Sequence, residues 1–430
     1  MTAVPTTTST DEFVVRAAGP LHGSVVVNGA KNSALKLMAA SVLADGRTRL
    51  RNVPGIADVP VMADLLRSTG MDVSLDTDTG VCELDAGGSI EPAPDPVMVQ
   101  AIRASISTLG PLVGRCRRAV LALPGGDDIG KRSIELHLRG LEAMGAEVTR
   151  AHDRVTVEAP QLHGAHVRLD FPSVGATENV LLAAVLADGE TTIENAAREP
   201  EVQDLCRMLR QMGADIQGVG QPTLRINGVD ALRPAEWSVC PDRIEAGTFA
   251  VAAAVTGGDV MLERVRPGDL GIPLEKLGAM GVTVERARGG LRIAVDGPLR
   301  PTTIATLPYP GFPTDLQPQF LVAMTQAVGL GRITENVFEA RFAFVDELRR
   351  MGADVTVDGH HAVVRGPRRL TGAVCSGLDV RAGAGAVLAG LVADGETIVR
   401  DVHHVDRGYA NFVERMRGLG ADVTRRPSSA

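Results

Sequence analysis

One pattern of apolar and polar positions recurs six times along the chain. A short helical stretch ends in Met, Leu or Thr followed by Gly, and alternating polar and β-branched residues come next. The copies read LLRSTGMDV, LEAMGAEV, MLRQMGADI, LGAMGVTV, LRRMGADVTV and MRGLGADVTR. Their glycines are Gly70, Gly145, Gly213, Gly281, Gly352 and Gly420, spaced 68 to 75 residues apart. In the third copy Val202, Leu205, Cys206, Leu209 and Met212 fall on one face of a 3.6-residue helix. Gly213 then stands where a helix end needs left-handed backbone. A strand such as residues 354–357 follows. A second phrase alternates with the first: an Ala-rich helix, a turn and a strand. It spans 36–53, 179–196, 248–265 and 386–402, with weaker versions at 105–123 and 319–337. These helices are apolar nearly all round, which predicts burial.

Six such units allow one ring, two lobes of three, or three pairs. Two lobes of three fit ordinary domain sizes, with a boundary in the Pro- and Trp-containing stretch 231–239. The expected division is 22–234 for the first lobe and 1–21 plus 235–430 for the second. Active sites favour the crevice between such lobes.

Composition narrows the function. Aromatic residues are only 3% and the net charge is −8. Neither fits a nucleic-acid binder, which needs basic surface and stacking rings. Anionic ligands would have to meet local clusters of Arg and Lys. The five cysteines are scattered without a C-x-x-C pair, as expected of free thiols in a reducing compartment. No apolar run is long enough to span a bilayer, and residues 1–12 lack the apolar core of a secretory signal. A cytoplasmic location and no membrane partner are the expectation.

Several segments could carry chemistry. Lys31 and Asn32 follow a Gly-Ala turn at a helix start, a place for a phosphate or carboxylate or for an ordinary exposed lysine. Residues 124–132, PGGDDIGKR, form a glycine-rich loop with two acids and two cations, either a reactive lid or a solvated turn. Residues 171–179, FPSVGATEN, lead into a buried helix and either cradle phosphates or simply cap it. Asp315 opens the equivalent helix in the second half, as a base or a cap. Arg103, Arg341 and Arg381 stand before helices at similar points of their repeats and together would suit a polyanion. The doublets His360-His361 and His403-His404 lack the spacing of a metal site. No metal and no organic cofactor are expected.

Taken in order, GAKNSALKLMAA, RASISTLGPLVGR, PGGDDIGKR, FPSVGATENVLLAA, NAAREPEV, PDRIEAGTF, GFPTDLQPQF, ITENVFEARF, DVRAGAGAVLAGL and HVDRGY resemble the enolpyruvyl transferase family. The resemblance is to its UDP-N-acetylglucosamine 1-carboxyvinyltransferase branch, and it runs from about Phe13 to Thr424. It implies an α/β fold: a two-lobed inside-out α/β barrel of six βαβαββ units, three per lobe, with the N-terminal strand joining the last lobe. It also implies transfer of the enolpyruvyl group of phosphoenolpyruvate (PEP) to a sugar hydroxyl, the first committed step of peptidoglycan precursor synthesis. PEP is protonated at its methylene carbon while the hydroxyl attacks the neighbouring carbon, and the tetrahedral adduct then loses phosphate.

By motif, the resemblance assigns Asp127, Asp315, Lys31 and Arg407 to catalysis. Lys31, Arg103, Arg132, Arg381 and Arg407 would hold PEP. Asn32, Arg103, Arg132, Asp315, Val337 and Arg341 would meet the nucleotide sugar, with Asp379 completing the wall. Ser133, Ile134, Glu135 and Leu136 would border the uracil, and Ser173, Val174 and Gly175 the diphosphate. Partners would be these small molecules alone, to a monomer or weak homo-oligomer whose lobes close on substrate.

Two departures matter. Many members of the family carry Cys where this chain has Asp127, and a carboxylic acid is a poor trap for the epoxide fosfomycin, which alkylates that thiol. After Arg132 the family has Pro, an apolar residue and Asp, whereas this chain has Ser133-Ile134-Glu135. That change keeps open a second acceptor, the 3′-hydroxyl of UMP. A shikimate 3-phosphate enzyme and an inactive binding scaffold are the remaining alternatives. The retained Lys31, Arg132, Asp315 and Arg407 oppose the scaffold.

Overall fold

The computed structural model describes residues 11–126, 129–130 and 132–428. They divide into two compact units. The first comprises Asn28–Gly126 and Arg132–Cys240. The second comprises the described residues of Met1–Val27, Asp127–Lys131 and Pro241–Ala430.

Each unit is built from three main sheets, of three or four described strands, and three apolar helices. In the first unit the helices are α1 (Lys31–Ala40), α2 (Leu109–Cys116) and α3 (Val174–Ala184). In the second they are α4 (Arg243–Thr256), α5 (Gln317–Thr325) and α6 (Val380–Gly390). Every residue of α5 and α6 is buried. Small residues make that packing possible. A Cβ on Gly110 of α2 would lie 2.3 Å from the Asn179 carbonyl oxygen of α3, so the two backbones touch only because none is there. Residues 105–108, expected within a weak helix, form a tight 3-10 segment, Arg103–Thr108, that leads into α2.

Among the described residues there are five four-stranded sheets, one of three strands and the short parallel pair Leu370–Thr371 and Ala393–Asp394, and the five follow one plan: a parallel pair, then two further antiparallel strands. In the first unit Glu236–Ser238 runs parallel to Arg47–Arg51, followed by Val81–Asp85 and Asp72–Asp76. His166–Arg168, Glu190–Glu194, Thr223–Asn227 and Asp215–Gln217 repeat that order. The remaining sheet of this unit has three described strands, Arg118–Ala122, Arg154–Glu158 and Glu147–Arg150. In the second unit His22–Val26 pairs with Asp259–Glu263 and Thr303–Ala305 with Gly329–Thr334, each extended by its hairpin. In the last sheet the antiparallel place beside Glu396–Arg400 is taken by the N-terminal strand Asp11–Arg16, which also pairs with Asp422–Pro427.

The first crossing between units falls between Val27 and Asn28, later than the division at 21–22 read from the sequence. The cause is the parallel ladder of His22–Val26 on Asp259–Glu263, which holds that strand in the second unit.

The amphipathic helices end as their glycines predict. Gly70, Gly145, Gly213, Gly281, Gly352 and Gly420 all have φ between 90 and 109°. Each donates its amide to the carbonyl three residues earlier, as Gly213 does to Arg210. Among the described residues no helix is long and apolar enough to cross a membrane.

Candidate active site

In the first unit, Lys31 is the first residue of α1. The preceding Gly29 is required, because an added Cβ would fall 1.8 Å from the Asn52 carbonyl oxygen. Lys31 is not an exposed turn lysine: its side chain is 11% exposed, and Nζ pairs at 2.8 Å with Asp58, itself buried at the start of a helix. One turn on, Lys36 donates to the Asn32 carbonyl at 2.8 Å. Ser33 donates to Asp204 at 2.7 Å, and Asp204 also accepts from the Cys240 amide and the Trp237 indole. Asp204 therefore ties the start of α1 to the segment that crosses toward the second unit.

α1 packs against the Arg103–Thr108 turn. The Arg103 guanidinium donates to the carbonyls of Pro124 and Arg132. Gly126, at φ 108°, admits both arginines: a Cβ there would meet Arg103 Cβ at 2.7 Å and Arg132 Nη2 at 3.1 Å. Burial, and then the Arg132 charge, lower the Arg103 pKa to about 10. Two cations crowded at the root of this loop favour an anion. Asp127, Asp128 and Lys131 lie outside the described residues.

After Arg132, the Ser133 hydroxyl accepts from the Glu135 amide at 3.1 Å. Glu135, assigned to the uracil side, directs its carboxylate to Arg150 at 3.2 Å and Arg139 at 3.6 Å on exposed surface. Ile134 and Leu136 flank it, half-buried. Ser173 caps α3 by accepting from the Ala176 amide at 3.3 Å. The turn Ser173-Val174-Gly175 thus opens a helix of 11 residues, where amides and the helix dipole favour anions.

The second unit carries a denser cluster. Asp315 sits in a 3-10 turn before α5. Its Oδ1 accepts from Arg341 at 2.9 Å, and its Oδ2 accepts from Arg381 at 3.2 and 3.4 Å. Arg341 also pairs with Asp379 at 3.5 Å. Asp379 caps α6 through the amides of Arg381 and Ala382. Arg341 and Arg381, expected to suit a polyanion, are buried, and Arg341 precedes the amphipathic helix Phe344–Arg350.

Burial alone would raise the Asp315 pKa, but Arg381, Arg341 and Arg243 reverse that and hold it at about 2. Arg381 lies 5.3 Å from the centre of the Tyr409 ring, whose hydroxyl bonds Thr248 and Gln319. Arg407 follows the short helix His403–Asp406, two residues before Tyr409. Val337 is fixed by Glu335, which accepts from its amide at 2.8 Å and from Thr314 beside Asp315 at 2.9 Å.

Asp58, His137, Asp204 and Glu335 escaped the reading of the sequence, and Asn179 entered it only as the end of the 171–179 segment. A polar residue inside an otherwise apolar helix, as at Asn179, was the available signal. No group of three or more His, Cys, Asp or Glu among the described residues is placed to hold a metal ion.

These features match known proteins over nearly the whole chain. A protein of Corynebacterium efficiens named UDP-N-acetylglucosamine 1-carboxyvinyltransferase is 52% identical over 415 residues, 96% of this chain and 98% of that one. Its namesake from Mycobacterium tuberculosis is also 52% identical over 415 residues, 96% and 99% of the two chains. Among solved structures, the enolpyruvyl transferase NikO from Streptomyces tendae is similar with a TM-score of 0.89 at 27% identity, over 97% of this chain and 99% of that one. The fold is therefore that of the enolpyruvyl transferases. A family model described as EPSP synthase (3-phosphoshikimate 1-carboxyvinyltransferase) matches residues 15–416, and the chain belongs to that family.

Proposed function

We propose that this protein transfers the enolpyruvyl group of PEP to the 3-hydroxyl of UDP-N-acetylglucosamine and releases phosphate, the first committed step of peptidoglycan precursor synthesis. The observation that carries the reading is the 52% identity, over 96% of the chain, to proteins named for that reaction. The similarity to NikO, at 27% identity, supports the fold and the reaction class and does not bear on the acceptor. With all five cysteines free, the reaction belongs in a reducing cytoplasm.

In this reading Lys31, Arg103, Arg132, Arg381 and Arg407 neutralise PEP's phosphate and carboxylate. They also offset the charge that develops through addition and elimination. Asn32, Val337 and Arg341 orient the sugar, and Asp379 keeps Arg341 in place. Residues 133–136 border the uracil, and the Ser173–Gly175 turn takes the diphosphate. Asp127 supplies the proton to the methylene carbon of PEP.

Asp315 accepts the hydroxyl proton. At a pKa of about 2 it is a weak base in the free protein. It gains basicity as Arg341 and Arg381 turn part of their charge toward the bound anions.

Phosphate release from PEP tests the proposal directly. Turnover is expected with UDP-N-acetylglucosamine and not with UMP. Turnover with UMP alone would overturn the choice of acceptor, and binding without turnover would overturn the enzymatic reading.

A further inference from the structure

Asn179 is fully buried in the apolar helix α3, where a polar side chain needs partners. The Gly110 amide donates to its Oδ1 at 2.6 Å. A backbone N–H can only donate, so the atom facing it is the amide oxygen. The NH2 group therefore faces the other way, toward the Gly175 carbonyl at 3.2 Å and His137 Nδ1 at 2.8 Å.

That NH2 can only donate as well, so His137 Nδ1 must accept. An imidazole with hydrogen on Nδ1, neutral or charged, would set donor against donor. The remaining form carries its hydrogen on Nε2. Burial, and then the charge of Arg103, oppose a second proton and lower the His137 pKa to about 4.

The free edge of the ring is well placed. A Cβ on Gly175 would lie 2.8 Å from His137 Cε1 and 3.2 Å from Nε2, so this edge rests on the turn that begins α3. Nε2 forms no hydrogen bond among the described residues. The glycine gives the ring room, and the ring brings one further donor to the backbone amides of the turn.

We propose that Asn179 is a positioning residue that fixes His137 in the tautomer bearing hydrogen on Nε2, so that a neutral donor stands beside the Ser173–Gly175 turn for an oxygen of the acceptor's diphosphate. The second half of this statement rests on the function proposed above; the first half does not. A neutral donor keeps its strength from pH 6 to 8 and adds no charge next to Arg103.

The test has two arms. NMR of the wild-type protein with 15N-labelled histidine reads the tautomer without any substitution. Expected is an unprotonated Nδ1 and a protonated Nε2 for His137 from pH 6 to 8. Asn179→Asp keeps an acceptor for Gly110 but turns the donor facing His137 into an acceptor, so the hydrogen should appear on Nδ1. A wild-type Nδ1–H signal, or an Asn179→Asp spectrum identical to wild type, overturns the tautomer assignment.

In the second arm, Asn179→Asp and His137→Phe should each raise KM for UDP-N-acetylglucosamine about tenfold, the loss of roughly one neutral hydrogen bond. KM for PEP should stay within about twofold, and His137→Gln, which retains an amide donor, should recover part of the loss. Unchanged acceptor KM in all three variants overturns the diphosphate role. Phosphate release by the wild type judges the parent reading separately.

Discussion

A carboxylate held by two buried guanidiniums titrates differently from one in water, and at Asp315 the direction is set by contacts on both oxygens. Its depressed pKa means that the folded state favours the ionised form. The contribution is fully present above the unfolded value near 4 and is lost as pH falls from there toward 2. Between pH 5 and pH 3 wild type should therefore lose about 1 kcal/mol more unfolding free energy than Asp315→Asn. Urea unfolding at the two pH values measures it, and equal losses would remove Asp315 as an ionised partner of Arg341 and Arg381. If Asp315 also takes the hydroxyl proton, the same variant should lower kcat by roughly 10²–10⁴-fold with KM for PEP little changed. At Asp127 the argument concerns nucleophilicity. The proposed lid residue is a carboxylic acid, and burial pushes the thiols of Cys82, Cys206 and Cys375 up to about 12. Fosfomycin should leave both the activity and the intact mass of the protein unchanged, and a covalent adduct in the mass spectrum would refute this.

At the level of elements, the helix-ending glycines isolate backbone strain from packing. Gly213 has φ 109°, and an added Cβ would meet nothing within 4 Å. Gly213→Ala should therefore lower stability by about 1–2 kcal/mol through the left-handed backbone alone. Gly145 has φ 90°, but a Cβ there would also lie 2.7 Å from His163 Nε2. Gly145→Ala should lower stability further, and equal midpoints for the two variants in urea would show that packing adds nothing. These helices and their ends were legible in the sequence because a 3.6-residue period and a terminal glycine are local signals. The candidate site was legible only where a motif marks a turn, as at Lys31, Ser173 and Asp315. What the motifs hold on to was not. Ser33 meets Asp204 across 171 residues of chain, and Asn179 meets His137 across 42. Periodicity within one element carries no record of such pairs. Glu135 shows both cases: its i,i+4 pair with Arg139 lies within one helix and is local, but its ion pair with Arg150 forms only once helix and strand are assembled.

Across the whole molecule, the net charge of −8 hides charge buried in both units. The second unit buries Arg341 and Arg381 around Asp315, and the first buries an acid that has no such pair of guanidiniums. Glu178 of α3 is fully buried, and neither carboxylate oxygen has a hydrogen-bond partner. The nearest cation is Lys36 at 3.7 Å. Burial raises the Glu178 pKa, Lys36 opposes that, and Glu199 and Glu201 add to it, for a result of about 7. The sign is opposite to that of Asp315. An acid whose folded pKa is raised stabilises the fold while protonated, and that contribution disappears as pH climbs through 7. Between pH 5.5 and pH 8 wild type should therefore lose about 2 kcal/mol more stability than Glu178→Gln, which cannot ionise. Amide hydrogen exchange locates the effect: protection of α1 and α3 should fall with rising pH in wild type more steeply than in the variant, while α5 and α6 should respond alike in both. Because Lys36 also holds the Asn32 carbonyl at 2.8 Å, ionisation of Glu178 draws on the same ammonium that supports the start of α1. Parallel pH slopes for wild type and Glu178→Gln would mean that Lys36 already neutralises the carboxylate, leaving the first unit without a titration near neutrality from this residue.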